Sequence, residues 1–168
     1  NNREETYKVF THILDTAGNS PITKGPGGKF PHHRGLFIGW KDTIVNGVDY
    51  DTWHMQKENC VQRHVSWEPL KTGDNTGTQI ENILWENSDK KAFISEVRAI
   101  TAIPGDNGLR IADFQSKLTS HAGTIQLKGD LQHAGMQLRM SQEVADKDDA
   151  EVNEKVPAEK KSTQYVLP

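Results

Sequence analysis

Histidine is the residue type whose spacing in this sequence points most directly to chemistry. His32 and His33 stand together, shortly after the Gly/Pro-rich segment 25–28. His54 and His133 lie in two further segments that show no strand pattern. Polar groups held on loops beside rigid strands commonly form sites, and imidazole transfers protons near neutral pH. The sequence therefore predicts that His33, His54 and His133 share one cleft and act there as catalytic residues.

Neighbouring side chains are candidates for binding the substrate. The Arg34 guanidinium keeps its proton, so it is expected to bind an anionic group and to lower the pKa of a nearby histidine. Trp53 offers a ring that could stack on the apolar face of a sugar. Glu96 and Arg98 lie two residues apart on one face of a predicted strand, where the alternative is a surface ion pair of little energetic value. The predicted substrate-binding residues are His32, Arg34, Trp53, Glu96, Arg98 and Arg139.

Two other kinds of site remain open. Imidazoles from separate loops can bind a transition metal when a carboxylate joins them. This alternative is a metal-dependent oxygenase or hydrolase, and it also uses His33, His54 and His133. The carboxylates available to help are Glu96, Asp113, Asp130 and Glu143. The single cysteine, Cys60, excludes a cysteine-based metal site, and the sequence assigns neither a metal ligand nor a cofactor. The other alternative is a non-catalytic carbohydrate-binding or interaction module.

The remaining histidines carry weaker signals. Side chains alternate along the segment 60–67, so His64 and Trp67 are expected on opposite faces of a strand. His64 is therefore expected to be structural or exposed, and His12 and His121 are given the same interpretation.

Composition limits the possible partners. The chain has 168 residues, 26% of them charged, and a formal net charge of −3. It has no block of basic residues, so binding driven by neutralising nucleic acid phosphates is not expected. No apolar run approaches the roughly 20 residues of a membrane-spanning helix. The expected partner is a small-molecule or glycan ligand, with no nucleic acid and no membrane insertion.

Short alternating segments separated by turn residues predict an all-β fold. Asn46 and Gly47 suit a tight hairpin turn. Helical periodicity is almost absent, which favours a single antiparallel β-sandwich domain over residues 1–168. The predicted strands are 7–14, 36–40, 60–67, 78–85, 92–103, 109–118, 124–128 and 135–140.

The C-terminal segment differs in composition from the rest. Asp, Glu and Lys dominate residues 145–161, which predicts a solvated charged loop or tail. Residues 165–167 then begin another strand pattern, so the sandwich is expected to continue beyond Pro168. No signal peptide is recognisable at Asn1.

Five segments of the chain together carry a resemblance to a known family. They are Pro31-His32-His33-Arg34-Gly35-Leu36-Phe37-Ile38-Gly39-Trp40, Asp51-Thr52-Trp53-His54, Glu96-Val97-Arg98, Gly129-Asp130-Leu131-Gln132-His133-Ala134-Gly135 leading to Arg139, and Thr163-Gln164-Tyr165. They resemble a bacterial family named methane oxygenase PmoA, which differs from the membrane-embedded subunit of particulate methane monooxygenase.

The resemblance implies an all-β protein that extends beyond this chain at both ends, and therefore a sandwich that is incomplete here. It also implies an exported protein, periplasmic or secreted, of bacteria that degrade polysaccharides. The galactose-mutarotase-like supersandwich is similar in expected shape, and its enzymes combine a histidine acid with a carboxylate base late in the chain. By this analogy the leading expectation is a carbohydrate-active enzyme that uses histidine general acid–base chemistry.

Overall fold

The computed structural model describes residues 7–28, 30–55 and 59–141. The strands are β1 (Leu36–Trp40), β2 (Asp42–Val45), β3 (Val48–Tyr50), β4 (Cys60–Trp67), β5 (Lys71–Gly73), β6 (Thr76–Asn87), β7 (Ala92–Pro104), β8 (Arg110–Ser120), β9 (Ile125–Lys128) and β10 (Ala134–Leu138). A short 3₁₀ turn, Asp106–Gly108, joins β7 to β8. Glu143, the charged segment 145–161 and the strand predicted at 165–167 lie outside the described residues.

The strands pair antiparallel in three sheets. β4, β6, β7 and β8 are neighbours in this order, and β5 pairs with β6 to complete a five-stranded sheet. β3, β2 and β9 form a second sheet, and β1 pairs with β10 in a third. The predicted all-β antiparallel fold is therefore confirmed, and its arrangement of sheets is compatible with a sandwich. The described part of the chain contains no helix with the length and apolarity needed to cross a bilayer.

The hairpin between β2 and β3 shows how local sequence sets strand register. Asn46 and Gly47 both have positive φ, 50° and 81°, which is the backbone of a type I′ turn. Val45 pairs with Val48 across this turn, and the Val45 side chain is buried. The predicted hairpin is therefore confirmed, and its register points Val45 into the core.

Residues 7–14 do not form the predicted strand. This segment makes isolated bridges rather than a continuous ladder. Its backbone instead bonds to side chains of the large sheet: Gln62 Oε1 accepts from Val9 N at 3.2 Å, and Arg98 Nη1 donates to Val9 O at 3.2 Å. The segment meets the edges of β4 and β1 only at single residues, where Gln62 N donates to Tyr7 O and Thr11 exchanges two hydrogen bonds with Leu36. It therefore does not run along either edge as a further strand.

The apolar core joins the large sheet to the smaller ones. Trp85 and Phe93 enter it from β6 and β7, Val45 enters from β2, and Met55 enters from the turn that follows β3. Met55 is fully buried and directly follows His54 in the chain. The segment that carries His54 is therefore anchored in the core, which restricts the positions that its imidazole can take.

Candidate functional site

His54 stands on a turn that Asp51 closes. Asp51 Oδ1 accepts hydrogen bonds from the backbone N–H groups of Trp53 and His54, at 3.2 and 2.8 Å. The other oxygen, Asp51 Oδ2, lies 2.8 Å from His54 Nδ1. An ionised carboxylate can only accept hydrogen bonds, so Nδ1 carries the proton in this contact. The neutral imidazole then keeps the lone pair of Nε2 for other partners.

Asp130 holds His133 in the same way. Asp130 Oδ1 lies 2.7 Å from His133 Nδ1 and accepts from the backbone N–H of Gln132 at 2.9 Å. The bond from His133 is the largest cause that holds the pKa of Asp130 below its ordinary value, so the carboxylate stays ionised. Gly129 permits this tight turn, because a Cβ at that position would lie 2.5 Å from His133 O.

The end of β1 brings the two turns together. β1 pairs with β10, and beside this pairing Lys41 N donates to His133 O at 2.9 Å. The Thr52 hydroxyl accepts from Trp40 N and donates to Trp40 O, both at 3.0 Å. Gly39 allows this close approach, because a Cβ there would lie 2.3 Å from Thr52 O. Both histidine-bearing turns are therefore fixed to the same short strand.

Four imidazoles form one continuous series of contacting rings, which we call the histidine row. Ring centroids are 4.4 Å apart for His33 and His32, 4.7 Å for His32 and His54, and 5.4 Å for His54 and His133. Exposed Phe30 stacks on His33, with centroids 5.0 Å apart. The histidines that the sequence expected to converge therefore do lie together, and His32 links them.

Lys8 ties two of the segments that carry these rings. Its side-chain nitrogen donates to the backbone oxygen of His32 at 3.3 Å and to that of Trp53, and it lies 4.0 Å from the ring centroid of Phe37. Burial first, and then the charge of Arg34, hold the pKa of Lys8 well below its ordinary value. No sequence motif marks Lys8, because its acceptors are backbone atoms 24 and 45 residues away.

The two adjacent histidines, His32 and His33, are neutral around pH 7. Burial is the largest cause that lowers the pKa of His32 to about 3, and the neighbouring His33 is the next. Burial and then Arg139 lower the pKa of His33 to about 4, and Lys8 acts on both rings in the same direction. The sequence predicts that Arg34 lowers the pKa of a nearby histidine. In the structure, burial, Arg139 and Lys8 lower the pKa of these two rings. A neutral imidazole both donates and accepts hydrogen bonds, so this pair suits hydroxyl groups.

Acidification is expected to weaken the fold through these two histidines. The ordinary pKa of histidine in an unfolded chain is about 6.5, above the folded values of about 3 for His32 and about 4 for His33. Between these folded pKa values and about 6.5, the unfolded state binds more protons than the folded state. The contribution to the free energy of unfolding is therefore complete above about pH 6.5. It is lost as the pH falls towards about 4 for His33 and towards about 3 for His32. Urea unfolding at about pH 7 and about pH 4.5 should show a smaller loss for the double variant His32→Gln, His33→Gln.

The matched control for this experiment uses two exposed histidines. The double variant His12→Gln, His121→Gln should keep the acid sensitivity of the wild type, because both side chains are exposed. Equal acid sensitivity in wild type and both double variants would show that His32 and His33 do not cause it.

Arg34 and Trp53 are not placed as the predicted substrate-binding residues would be. Arg34 is fully buried, its Nε donates to Pro31 O at 2.8 Å, and its guanidinium carbon lies 4.1 Å from the ring centroid of Tyr7. Trp53 is also fully buried and packs on Phe37, with centroids 5.0 Å apart. Fully buried side chains do not meet a ligand that arrives from solvent. Both residues instead support the loops that carry the histidines.

Glu96 and Arg98 also depart from their predicted role, because they form a buried network. Both side chains are at most 1% exposed. Glu96 accepts from Arg98 Nε and Nη2 at 2.7 and 3.0 Å, from Trp85 Nε1 at 2.9 Å and from Ser116 Oγ at 2.9 Å. The alternative of a surface ion pair is therefore wrong, and these carboxylate oxygens are occupied by groups of the protein itself.

Arg139 remains close to the histidine row. Its guanidinium carbon lies 5.9 Å from the ring of Trp53, and its charge acts on His33. Asp130, one of the carboxylates considered for metal binding, contacts the row. Among residues 7–28, 30–55 and 59–141, no group of three or more His, Cys, Asp or Glu side chains is arranged to hold a metal ion.

Asp51 and Lys8 are site residues that the sequence motifs do not predict, and Asp130 is predicted only as an available carboxylate. The signal for both carboxylates is an Asp-x-x-His spacing that occurs twice, at 51–54 and at 130–133. Asp side chains commonly bond to backbone N–H groups two residues on and so close turns, which places the third following residue beside the carboxylate.

Comparison with known families gives the chain a family but no activity. The model of a family described as "Family of unknown function (DUF6807)" matches residues 1–164. The chain belongs to DUF6807. No curated protein and no solved structure matches it. In this DUF6807 member the candidate site consists of the histidine row, the two carboxylates that orient it, and Lys8.

Proposed function

We propose that the chain is a carbohydrate-active enzyme whose histidine row moves protons to or from a sugar or related polyol. The observation that carries this proposal is the pair of Asp–His contacts, 2.8 Å for Asp51 with His54 and 2.7 Å for Asp130 with His133. A carboxylate on Nδ1 orients the ring and stabilises the positive charge that develops when Nε2 takes a proton. Because the rings of His54 and His133 are in contact, two groups suited to proton transfer lie side by side in the histidine row.

The four histidines divide into two proposed roles. His54 and His133, with side chains 27% and 30% exposed, are the proton-transfer residues, because each is oriented by a carboxylate and reaches solvent. His32 and His33 are the substrate-binding residues, because they are neutral and can bond to hydroxyl groups. This differs from the sequence expectation, which gave His33 a catalytic role.

A sugar fits the surroundings of the row. Exposed Phe30, stacked on His33, offers an apolar ring face beside the neutral imidazoles, and sugars present apolar C–H faces beside their hydroxyls. Arg139 adds a cation near His33 that could bind a ring oxygen or an acidic sugar. The resemblance to methane oxygenase PmoA proteins of polysaccharide-degrading bacteria supports the same ligand class by analogy, with a periplasmic or secreted location.

A non-catalytic carbohydrate-binding module is the second candidate. The observation in its favour is the same exposed Phe30 ring, because stacking on an aromatic ring serves binding whether or not a reaction follows. The metal-dependent alternative gains no comparable support from the described residues.

Incubation with sugars in deuterated water tests the proposal. The wild-type chain is incubated with a panel of neutral and acidic mono- and oligosaccharides, and products and C–H exchange are followed by NMR. We expect turnover or deuterium incorporation with at least one sugar, and its loss in the double variant Asp51→Asn, Asp130→Asn. Saturable binding without either signal would favour the binding module. Activity that appears only after a divalent metal is added would overturn the proposal and favour the metal-dependent alternative.

A further inference from the structure

A groove separate from the histidine row lies between residues 7–10 and the large sheet. Its volume is about 700 Å³, within the range of about 300–1,000 Å³ typical of small-molecule sites. Residues 7–10 form one wall, and Gln62, His64 and Trp67 of β4 with Glu81 of β6 form the other. None of the four imidazoles of the histidine row lines this groove.

A β-bulge places two of these side chains on the same face of β4. The register with β6 shifts between His64 and Ser66, so that Val65 is the inserted residue. In a regular strand His64 and Trp67 would point to opposite faces, as the alternation in the sequence predicts. The bulge reverses the alternation, and the two rings meet with centroids 5.0 Å apart. Bulges commonly re-aim a side chain beside a functional site.

A carboxyl group and an imidazole meet in the wall of this groove. His64 Nδ1 lies 2.7 Å from Glu81 Oε1. The His64 side chain is 41% exposed, whereas that of Glu81 is 5% exposed. Burial is the largest cause that raises the pKa of Glu81 above its ordinary value, and the bond from His64 opposes it. The groove therefore presents the buried Glu81 carboxyl group as a hydrogen-bond acceptor. It also presents the accessible His64 imidazole, which can donate or accept a hydrogen bond.

The charged side chains of β4 and β6 around the groove are matched, and Lys8 in the opposite wall directs its nitrogen to the backbone oxygens of His32 and Trp53. This arrangement favours an uncharged ligand. Arg63 bonds to Glu86 through Nε at 2.9 Å and through Nη2 at 2.7 Å. His64 is matched by Glu81. Trp67, 51% exposed, adds a large apolar ring face, whereas Trp53 and Trp85 are fully buried. A neutral molecule with an apolar face and many hydroxyl groups suits this surface.

We propose that this groove is a second ligand site, specific for a neutral saccharide. One sugar ring stacks on the exposed face of Trp67, because an indole ring binds the C–H face of a sugar while leaving the hydroxyls free for hydrogen bonds. The hydroxyls exchange hydrogen bonds with His64 and Glu81, which together supply donors and acceptors. The site does not depend on the chemistry proposed for the histidine row, which lies elsewhere in the chain.

Isothermal titration calorimetry of the whole chain with defined disaccharides tests this inference. The neutral probes are cellobiose, maltose, xylobiose and lactose, and the acidic comparison is digalacturonic acid. We expect saturable binding of at least one neutral probe, in preference to the acidic one. Trp67→Ala should weaken that binding about tenfold or more, because the stacking ring is lost. Glu81→Gln keeps the shape of the side chain and should also weaken it.

Two matched variants show whether the sugar binds in this groove or at another surface of the chain. Leu70→Ala removes an exposed apolar side chain that does not line the groove and should bind like the wild type. Leu131→Ala removes an exposed apolar side chain from the turn that carries His133, also outside the groove, and should likewise bind like the wild type. Thermal melts of each variant establish that it is folded. Absence of saturable binding by every neutral probe would overturn the inference, and so would binding that Trp67→Ala leaves unchanged.

Discussion

His54→Gln should lower turnover about 10²- to 10⁴-fold, the usual contribution of a positioned general acid or base. Glutamine has a similar polar side chain but cannot take up a proton near neutral pH, so the substitution removes proton transfer with little change in size. Asp51 would still accept from the backbone N–H groups of Trp53 and His54, which keeps the turn closed. Initial-rate kinetics on the sugar identified by the panel would measure the loss, and unfolding curves would show that stability is retained.

A histidine outside the row is the matched control for this substitution. His121 is exposed, and His121→Gln should leave turnover within about twofold of the wild type. Asp51→Asn should produce an intermediate loss, because the amide can no longer orient Nδ1 as an anionic acceptor does. A His54→Gln variant with wild-type turnover would remove His54 from the proposed mechanism and leave His133 as the remaining candidate.

Glu96→Ala should lower the free energy of unfolding by about 3–5 kcal/mol, the usual cost of breaking a buried ion pair from one side. The substitution removes the acceptor for Trp85 Nε1, Ser116 Oγ and two nitrogens of Arg98. Arg98 is 1% exposed, so its charge cannot recover the lost partner from water. Urea unfolding monitored by tryptophan fluorescence and circular dichroism would measure the change.

An ion pair on the same sheet with one exposed partner provides the comparison. The Arg63 side chain is 50% exposed and bonds at 2.7 Å to Glu86, whose side chain is 7% exposed. Arg63→Ala leaves one carboxylate without its partner, whereas Glu96→Ala leaves four donor atoms without their acceptor. Arg63→Ala should therefore cost much less than Glu96→Ala. Equal costs for the two variants would contradict a structural role for the buried network of Glu96 and Arg98.

Local sequence determined most of the secondary structure. The strands at 36–40 and 60–67 have the predicted bounds, and the Asn46-Gly47 turn has the predicted backbone. These features depend on residues close together in the chain, because strand alternation has a period of two and positive φ favours particular residues. The same local rules placed the histidines on loops, where their side chains are free of a strand face.

Tertiary structure decided which of these residues meet. The histidine row exists because β1 pairs with β10, almost 100 residues apart, and because Gly39 admits the backbone of Thr52. Arg34 is buried because residues 7–14 do not form the strand that their pattern predicts. This segment crosses the sheet instead, and its Tyr7 ring packs on the Arg34 guanidinium.

A one-residue bulge, which leaves no clear mark in the local pattern, moved Trp67 to the face of His64. Alternation tells which residues share a face only while the register of a strand is unbroken, and the register is set by the partner strand. The sequence therefore determined the elements and the candidate side chains. The distances between them, and their burial, follow from long-range pairing that no local pattern encodes.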